Sequence, residues 1–217
     1  MTRAEITPVT VAGPAGRLEA VIEAPRDAHT DAVAVVCHPH PLHHGTMNNK
    51  VVHAVTRAVN LLHRPAIRFN FRGVGDSSGQ YSEGDGETED ALAVIRWAQD
   101  TWPSAELWLA GFSFGAFVAL RCVSAETPAC LITVAPPIHR FAVAAEPRPG
   151  CPWLIVQGDS DELVDCGRVS AWAAELRPPP TVEILENTDH FFHGRLTRLR
   201  EVVYGFLSSQ APACEVA

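Results

Sequence analysis

Apolar and polar positions alternate over residues 18–25, just after a Gly13-Pro14-Ala15-Gly16 turn. That is the period of an early antiparallel strand with one face in water. Residues 32–37, Ala-Val-Ala-Val-Val-Cys, are apolar without a break, which predicts a strand buried on both faces of a parallel sheet. From 48 to 63 the period lengthens, and Val51, Val52, Val55, Val59 and Leu62 fall at helical spacing. The same two signals then alternate along the chain. Further strands are predicted at 66–71, 106–111, 129–135, 153–157 and 181–185. One helix opens on the negative charges of Glu87, Glu89 and Asp90, where the macrodipole favours them, and runs through Trp102. Others are predicted at 114–125, 168–176 and 195–207, the last with a buried stripe of Leu196, Leu199, Val203 and Phe206.

Strands alternating with helices imply an α/β fold: a mostly parallel central sheet with helices on both faces. In such sheets ligands bind beyond the carboxyl ends of the strands, so candidate chemistry is expected there. No internal repeat, low-complexity run or Gly/Ser linker divides the chain, and 217 residues suit one domain, so 1–217 is read as a single unit.

Composition removes several alternatives. A hydrophobic share of 47% with 19% charged residues is that of an ordinary globular protein, which sets aside disorder, collagen and coiled coil. The formal net charge of −8 repels phosphate backbones and anionic headgroups, so neither nucleic acid nor a membrane surface is an expected partner. The first residues lack a secretory pattern, and no stretch approaches the roughly 20 apolar residues that span a bilayer. Cysteines at 37, 122, 130, 151, 166 and 214 show no CxxC pairing. Reduced thiols in a cytoplasmic protein are expected, not a disulfide framework or a zinc site.

The candidate chemistry starts at Gly111-Phe112-Ser113-Phe114-Gly115, a G-x-S-x-G segment between a predicted strand and a predicted helix. A strand that reverses into a helix within one residue holds its serine in a strained turn with Oγ above the sheet. Side chains two residues before and after would collide across that turn, which demands glycine at both places. An unassisted hydroxyl is a poor nucleophile and needs a base, for which histidine has the suitable pKa. Where a sheet presents serine in this way, the order along the chain is serine, acid, histidine. Three histidines follow Ser113: His139, His190 and His193. His190 comes directly after the last predicted strand, His193 reads as a helix-start residue, and His139 precedes every candidate acid. His190 is therefore the expected base.

The acid is expected after strand 153–157, where Gly158-Asp159-Ser160-Asp161-Glu162-Leu163-Val164-Asp165 offers four carboxylates. Asp161 is favoured, with apolar Leu163 and Val164 behind it, and Asp159 is second, its expected part being to shape the turn through its own backbone. Glu162 and Asp165 read as solvated or helix-capping. Two amides are needed where negative charge develops on a carbonyl oxygen. One is expected from Phe114, the other from the loop His38-Pro39-His40-Pro41-Leu42-His43-His44-Gly45. Pro39 and Pro41 have no N–H, which leaves His40 or Leu42, with His40 preferred. Four histidines in one loop raise a catalytic zinc, but the prolines hold His38 and His40 extended and no carboxylate or cysteine accompanies them. No metal and no cofactor are expected.

These residues resemble the α/β-hydrolase superfamily, and within it a branch of small bacterial serine hydrolases without a lid, generally regarded as esterases. The resemblance rests on three blocks besides the elbow: His38-Pro39-His40-Pro41 through Gly45-Thr46-Met47-Asn48-Asn49-Lys50; Arg68-Phe69-Asn70-Phe71-Arg72-Gly73-Val74-Gly75-Asp76-Ser77-Ser78-Gly79; and Asp189-His190-Phe191-Phe192-His193-Gly194. It spans Leu18 to Leu207. One departure is His44, where the family pattern has glycine. The resemblance implies an α/β-hydrolase fold with no lid domain, since residues 136–151 are too few for a helical cap. It also implies a carboxylesterase acting on small soluble esters through an acyl-serine. A thioesterase, a dienelactone-type hydrolase or a peptidase would use the same machinery, and an inactive binding protein on this scaffold is the alternative from another class. Ile138 and His139 are candidate acyl-site residues. Arg72 and Asp76 are expected to pair and fix their loop, and Phe112, Phe114 and Phe117 to be core.

Overall fold

A computed structural model of the chain describes residues 4–139 and 149–210. At one edge of the sheet β1 (Glu5–Gly13) and β2 (Gly16–Ala24) form an antiparallel hairpin. β2 pairs antiparallel with β4 (Ala66–Phe69). From there β3 (Ala32–Cys37), β5 (Glu106–Phe112), β6 (Cys130–Val134), β7 (Trp153–Gly158) and β8 (Thr181–Leu185) continue in parallel, giving the order β1-β2-β4-β3-β5-β6-β7-β8. The expected mostly parallel sheet is therefore present, and the predicted strand over 32–37 agrees with β3 residue for residue.

Two apolar layers cover the sheet. On one face α1 (Lys50–Leu61) and α5 (Leu196–Gln210) pack over Ala32, Ala34, Val36, Trp108 and Ala110. On the other, α2 (Asp85–Thr101), α3 (Phe114–Cys122) and α4 (Cys166–Glu175) cover Val33, Val35, Cys37, Leu107 and Leu109. Successive residues of β3 and β5 alternate between the two layers, so the uninterrupted apolar runs follow from burial on both sides. Phe112, Phe114 and Phe117 are buried, as expected.

β1 was not predicted. It is an edge strand whose only fully buried side chain is Val11, and Pro8 interrupts its pattern, which an edge position tolerates. The other correction concerns Arg72. It meets not Asp76 but Asp90 of α2, with Nε and Nη2 on the two carboxylate oxygens at 3.0 and 2.8 Å, and its own backbone N–H bonds Asp90 at 2.9 Å. Asp76 instead ties the same loop to β2, its amide donating to Glu19 and its carbonyl accepting from Arg17. Two-point pairing of a planar guanidinium with a buried carboxylate fixes the loop after β4 against α2.

The described cysteines, Cys37, Cys122, Cys130, Cys151 and Cys166, are free thiols, and burial pushes Cys122 up to about 12. Cys214 lies outside the described residues. No described helix is long and apolar enough to cross a membrane.

Candidate active site

The turn from β5 into α3 places Ser113 in a conformation that L-residues rarely adopt, φ 52° and ψ −118°. Neighbouring backbone enforces it. The Ser113 amide donates to the Val134 carbonyl of β6 at 2.8 Å. A Cβ on Gly111 would stand 2.1 Å from the Gly115 carbonyl oxygen, and one on Gly115 would stand 2.3 Å from that of Cys37. Close approach thus requires both glycines, Gly111 across the turn as the sequence predicted and Gly115 against the end of β3 instead. The second contact also presses the elbow against the end of β3, which brings the His38–Gly45 loop to its side.

The other two predicted groups arrive from neighbouring crossovers. His190, buried in the loop after β8, has Nε2 3.1 Å from Ser113 Oγ. Its Nδ1 lies 2.8 Å from Oδ2 of Asp161 in the loop after β7. The imidazole stands between Phe112 and Phe191, with ring centroids 5.2 Å away on each side. The side chain of Asp161 is shielded from water. Its Oδ1 accepts from the amides of Leu163 and Val164 at 2.8 and 2.7 Å, and Gln157 Nε2 donates to Oδ2 at 2.9 Å. Burial alone pushes this carboxyl up. The hydrogen bond and charge of His190, with the two amides, outweigh it and hold Asp161 below its ordinary value.

Asp159 bonds within its own turn, at Ser160, and also reaches across to the next loop. Its Oδ1 accepts from the Thr188 amide at 3.2 Å and from the Ser160 hydroxyl at 2.8 Å, while the Ser160 amide donates to the Thr188 carbonyl at 3.1 Å. Asp159 therefore clamps the loop that carries Asp161 to the loop that carries His190. Asp165 caps α4 through the Arg168 amide, and Glu162 accepts from the His190 amide at 3.3 Å. His193 is not a helix-start residue: it is exposed in the turn ahead of α5 and paired with Asp189 at 2.7 Å.

In the loop after β3, His38 is buried and stacked on Phe71. Its Nδ1–H donates to the Pro39 carbonyl at 2.6 Å and its Nε2 accepts the Phe71 amide at 3.1 Å. Burial is the main reason its pKa falls to about 4, the positive charge of His40 adding to the drop and the Pro39 bond opposing it. His40 Nδ1 accepts the Leu42 amide at 3.2 Å. In the neutral ring Nε2 then carries the hydrogen and donates to Tyr81 Oη, 3.2 Å away. The His40 ring also lies 4.9 Å from that of Phe114. The Leu42 amide is thus turned to an imidazole, and His40 lies beside Phe114 at the positive end of α3. His44 adopts φ 61° and ψ 21°, the left-handed conformation that suits the glycine of the family pattern, and its side chain points to water. Among the described residues no three His, Cys, Asp or Glu side chains are grouped to hold a metal ion.

The structure thus brings Ser113, His190 and Asp161 into one chain of contacts and sets Phe114 and His40 beside it. Ile138 is half-buried against the core and His139 is exposed, with no hydrogen bond or ring contact to those three among the described residues. Sequence reasoning missed Tyr81 and Gln157. Gln157 had a signal, as the one polar side chain in the apolar strand Trp153–Gly158 ahead of the acid loop. Three exposed apolar side chains, Leu42, Leu163 and Phe191, lie within two residues of His40, Asp161 and His190.

Comparison with known proteins gives a consistent result. Residues 42–201 match the model of an alpha/beta hydrolase domain. The uncharacterized protein RP471 of Rickettsia prowazekii is 33% identical over 205 residues, covering 90% of this chain and 86% of its own. An alpha-beta serine hydrolase homologue from Coxiella burnetii superposes with a TM-score of 0.89 at 43% identity, over 95% of this chain and 98% of its own. XC6422 from Xanthomonas campestris, an a/b serine hydrolase without a lid, superposes with a TM-score of 0.91 at 40% identity, over 98% and 97%. By a family match across most of its length and by relatives this similar along nearly all of it, the chain belongs to the alpha/beta hydrolase family.

Proposed function

We propose that the chain is a serine hydrolase, a carboxylesterase that cleaves small soluble esters through an acyl-Ser113 intermediate. The observation that carries this reading is the run of contacts from Ser113 Oγ through His190 to Asp161, at 3.1 and 2.8 Å. Ser113 attacks the ester carbonyl while His190 Nε2 takes its proton. Asp161 keeps the imidazole in the tautomer with hydrogen on Nδ1 and stabilises the imidazolium that forms. The amides of Phe114 and His40 receive the charge that develops on the carbonyl oxygen. His190 then protonates the leaving alcohol, and a water activated in the same way releases the acid.

The lidless architecture of XC6422 supports an open cleft here as well, since the connection from β6 to β7 is only residues 135–152. An open cleft favours soluble esters with modest acyl groups and predicts no activation at a lipid interface. Ile138 and His139 are proposed to border the acyl group.

The test is labelling with a fluorophosphonate. The reading requires covalent modification of Ser113 that disappears in Ser113→Ala, and a loss of about three or more orders of magnitude in ester turnover in His190→Ala with the fold intact. Labelling that persists in Ser113→Ala, or full activity in His190→Ala, would overturn it. Parallel assays on p-nitrophenyl esters, thioesters and anilides of matched chain length separate the esterase from a thioesterase or peptidase.

A further inference from the structure

Lys50, His53 and Arg57 stand at positions i, i+3 and i+7 of α1 and so share one side of that helix. Arg200 of α5 joins them in lining a cavity of about 380 Å³ between the two helices. Through His53, Arg57 and Arg200 this space continues into a second cavity of about 500 Å³, which runs past Leu61 to Ile6. Neither cavity is lined by Ser113, Asp161 or His190.

A concentration of cations here runs against the rest of the molecule. The chain has 25 acidic residues against 17 Lys and Arg, and Lys50 is its single lysine. Most other described arginines meet carboxylates, among them Arg26 with Glu5, Arg64 with Asp31, Arg72 with Asp90 and Arg121 with Asp85, while Arg17, Arg177 and Arg195 donate to backbone carbonyls. Among the described residues Lys50, Arg57 and Arg200 form no ion pair, and α1 contains no acidic residue. The nearby acids are engaged, Glu23 by Arg68 at 3.0 Å and Asp27 by His63 at 3.1 Å. His53 has its pKa lowered by burial first, then by the charge of Arg68 and, more weakly, by that of Arg57, against an opposing effect of Glu23. With no carboxylate on α1, neither Lys50 nor Arg57 gains a stabilising ion pair along its own helix. An anion in the groove would neutralise these charges.

We infer that the groove between α1 and α5 binds a small amphiphilic anion, with a phosphate or carboxylate head between Lys50, Arg57 and Arg200 and an apolar part along Leu61 and Ile6. The combined space is of the size that takes small ligands, which commonly occupy roughly 300–1,000 Å³. Its lining is cationic at the α1–α5 end, while at the β1 end Ala4, Ile6, Pro25 and Leu61 offer apolar contact beside Glu23, Asn60 and His63.

Isothermal titration at low ionic strength tests this with four probes: inorganic phosphate, octyl phosphate, octanoate and poly-glutamate. We expect octyl phosphate or octanoate to bind saturably, one per chain, and at least tenfold more weakly to the double variant Arg57→Gln/Arg200→Gln. That variant should unfold thermally close to the parent, because neither arginine gives up an ion pair. If it fails to fold, Lys50→Gln provides the same comparison with an expected threefold or greater loss. Inorganic phosphate binding as well as octyl phosphate would assign the site to the head group alone and overturn the amphiphilic part. The proposal fails if no small probe saturates, if affinity is unchanged in the variants, or if only poly-glutamate binds, which would make the groove a surface for an acidic polypeptide.

Discussion

Gln157 donates from Nε2 to Oδ2 of Asp161 at 2.9 Å, the same oxygen that faces His190 Nδ1 at 2.8 Å. The Gly158 and Val164 carbonyls accept from that nitrogen too, at 3.3 and 3.1 Å, so the amide has one sensible orientation. Gln157 is a positioning residue: it fixes the carboxylate that in turn fixes the imidazole. Gln157→Leu removes this support, and kcat on a p-nitrophenyl ester should fall about tenfold with KM little changed. Gln157→Glu sets a second carboxyl against Asp161, and like charges raise one of the two pKa values. The acid limb of its pH–rate profile should move upward, a shift that loss of packing alone would not produce.

The left-handed backbone at His44 strains a residue with a Cβ and suits glycine. His44→Gly should therefore raise stability by about 0.5–1 kcal/mol in urea unfolding, the release of strain exceeding the added chain entropy. The side chain is exposed, so esterase turnover should not change.

His38 carries the clearest pH signature. Its folded pKa of about 4 lies below the ordinary value of 6.5, so the unfolded chain binds more protons between those limits. Stability should then be full above pH 6.5 and decline as pH falls towards 4, by about 3 kcal/mol from this group alone. Urea unfolding at a series of pH values checks this. In His38→Asn the slope over pH 4–6.5 should be smaller by up to one proton. Asp161 acts lower on the scale: its depressed pKa gives stability that is lost only as pH falls below the ordinary carboxylate value.

The two elbow glycines should not tolerate a methyl group. Gly115→Ala drives a Cβ to 2.3 Å from the Cys37 carbonyl oxygen, which belongs to β3 and cannot yield. A loss of about 3 kcal/mol is expected, at the upper end for overpacking. Thermal unfolding compared with Ser113→Ala, which should be close to the parent, checks it.

The residues that proved readable in advance were those whose constraint is local. β3 shows itself because a strand buried on both faces has no polar positions, and the elbow because its glycines have no substitute. The order of Ser113, Asp161 and His190 follows from parallel topology. Partners across loops were not readable. Whether Arg72 meets Asp76 or Asp90 depends on how α2 crosses the loop after β4, and Asp159 reaches Thr188 across a separation of 29 residues. Tyr81 lies in a loop without periodicity, so nothing local ties it to His40. β1 has too little buried surface to leave a pattern.

The apolar side chains of Leu42, Leu163 and Phe191 sit on three different loops and rise into water beside groups that are held rigidly beneath them. Changing them disturbs little of the core, since exposed positions away from special backbone contribute little to stability. A lineage of such proteins can therefore vary the surface around Ser113 while its scaffold stays fixed, with Phe191, which flanks the His190 ring, the most constrained of the three. Divergence in preference should accumulate at these three positions, one substitution at a time, each tolerated by the scaffold.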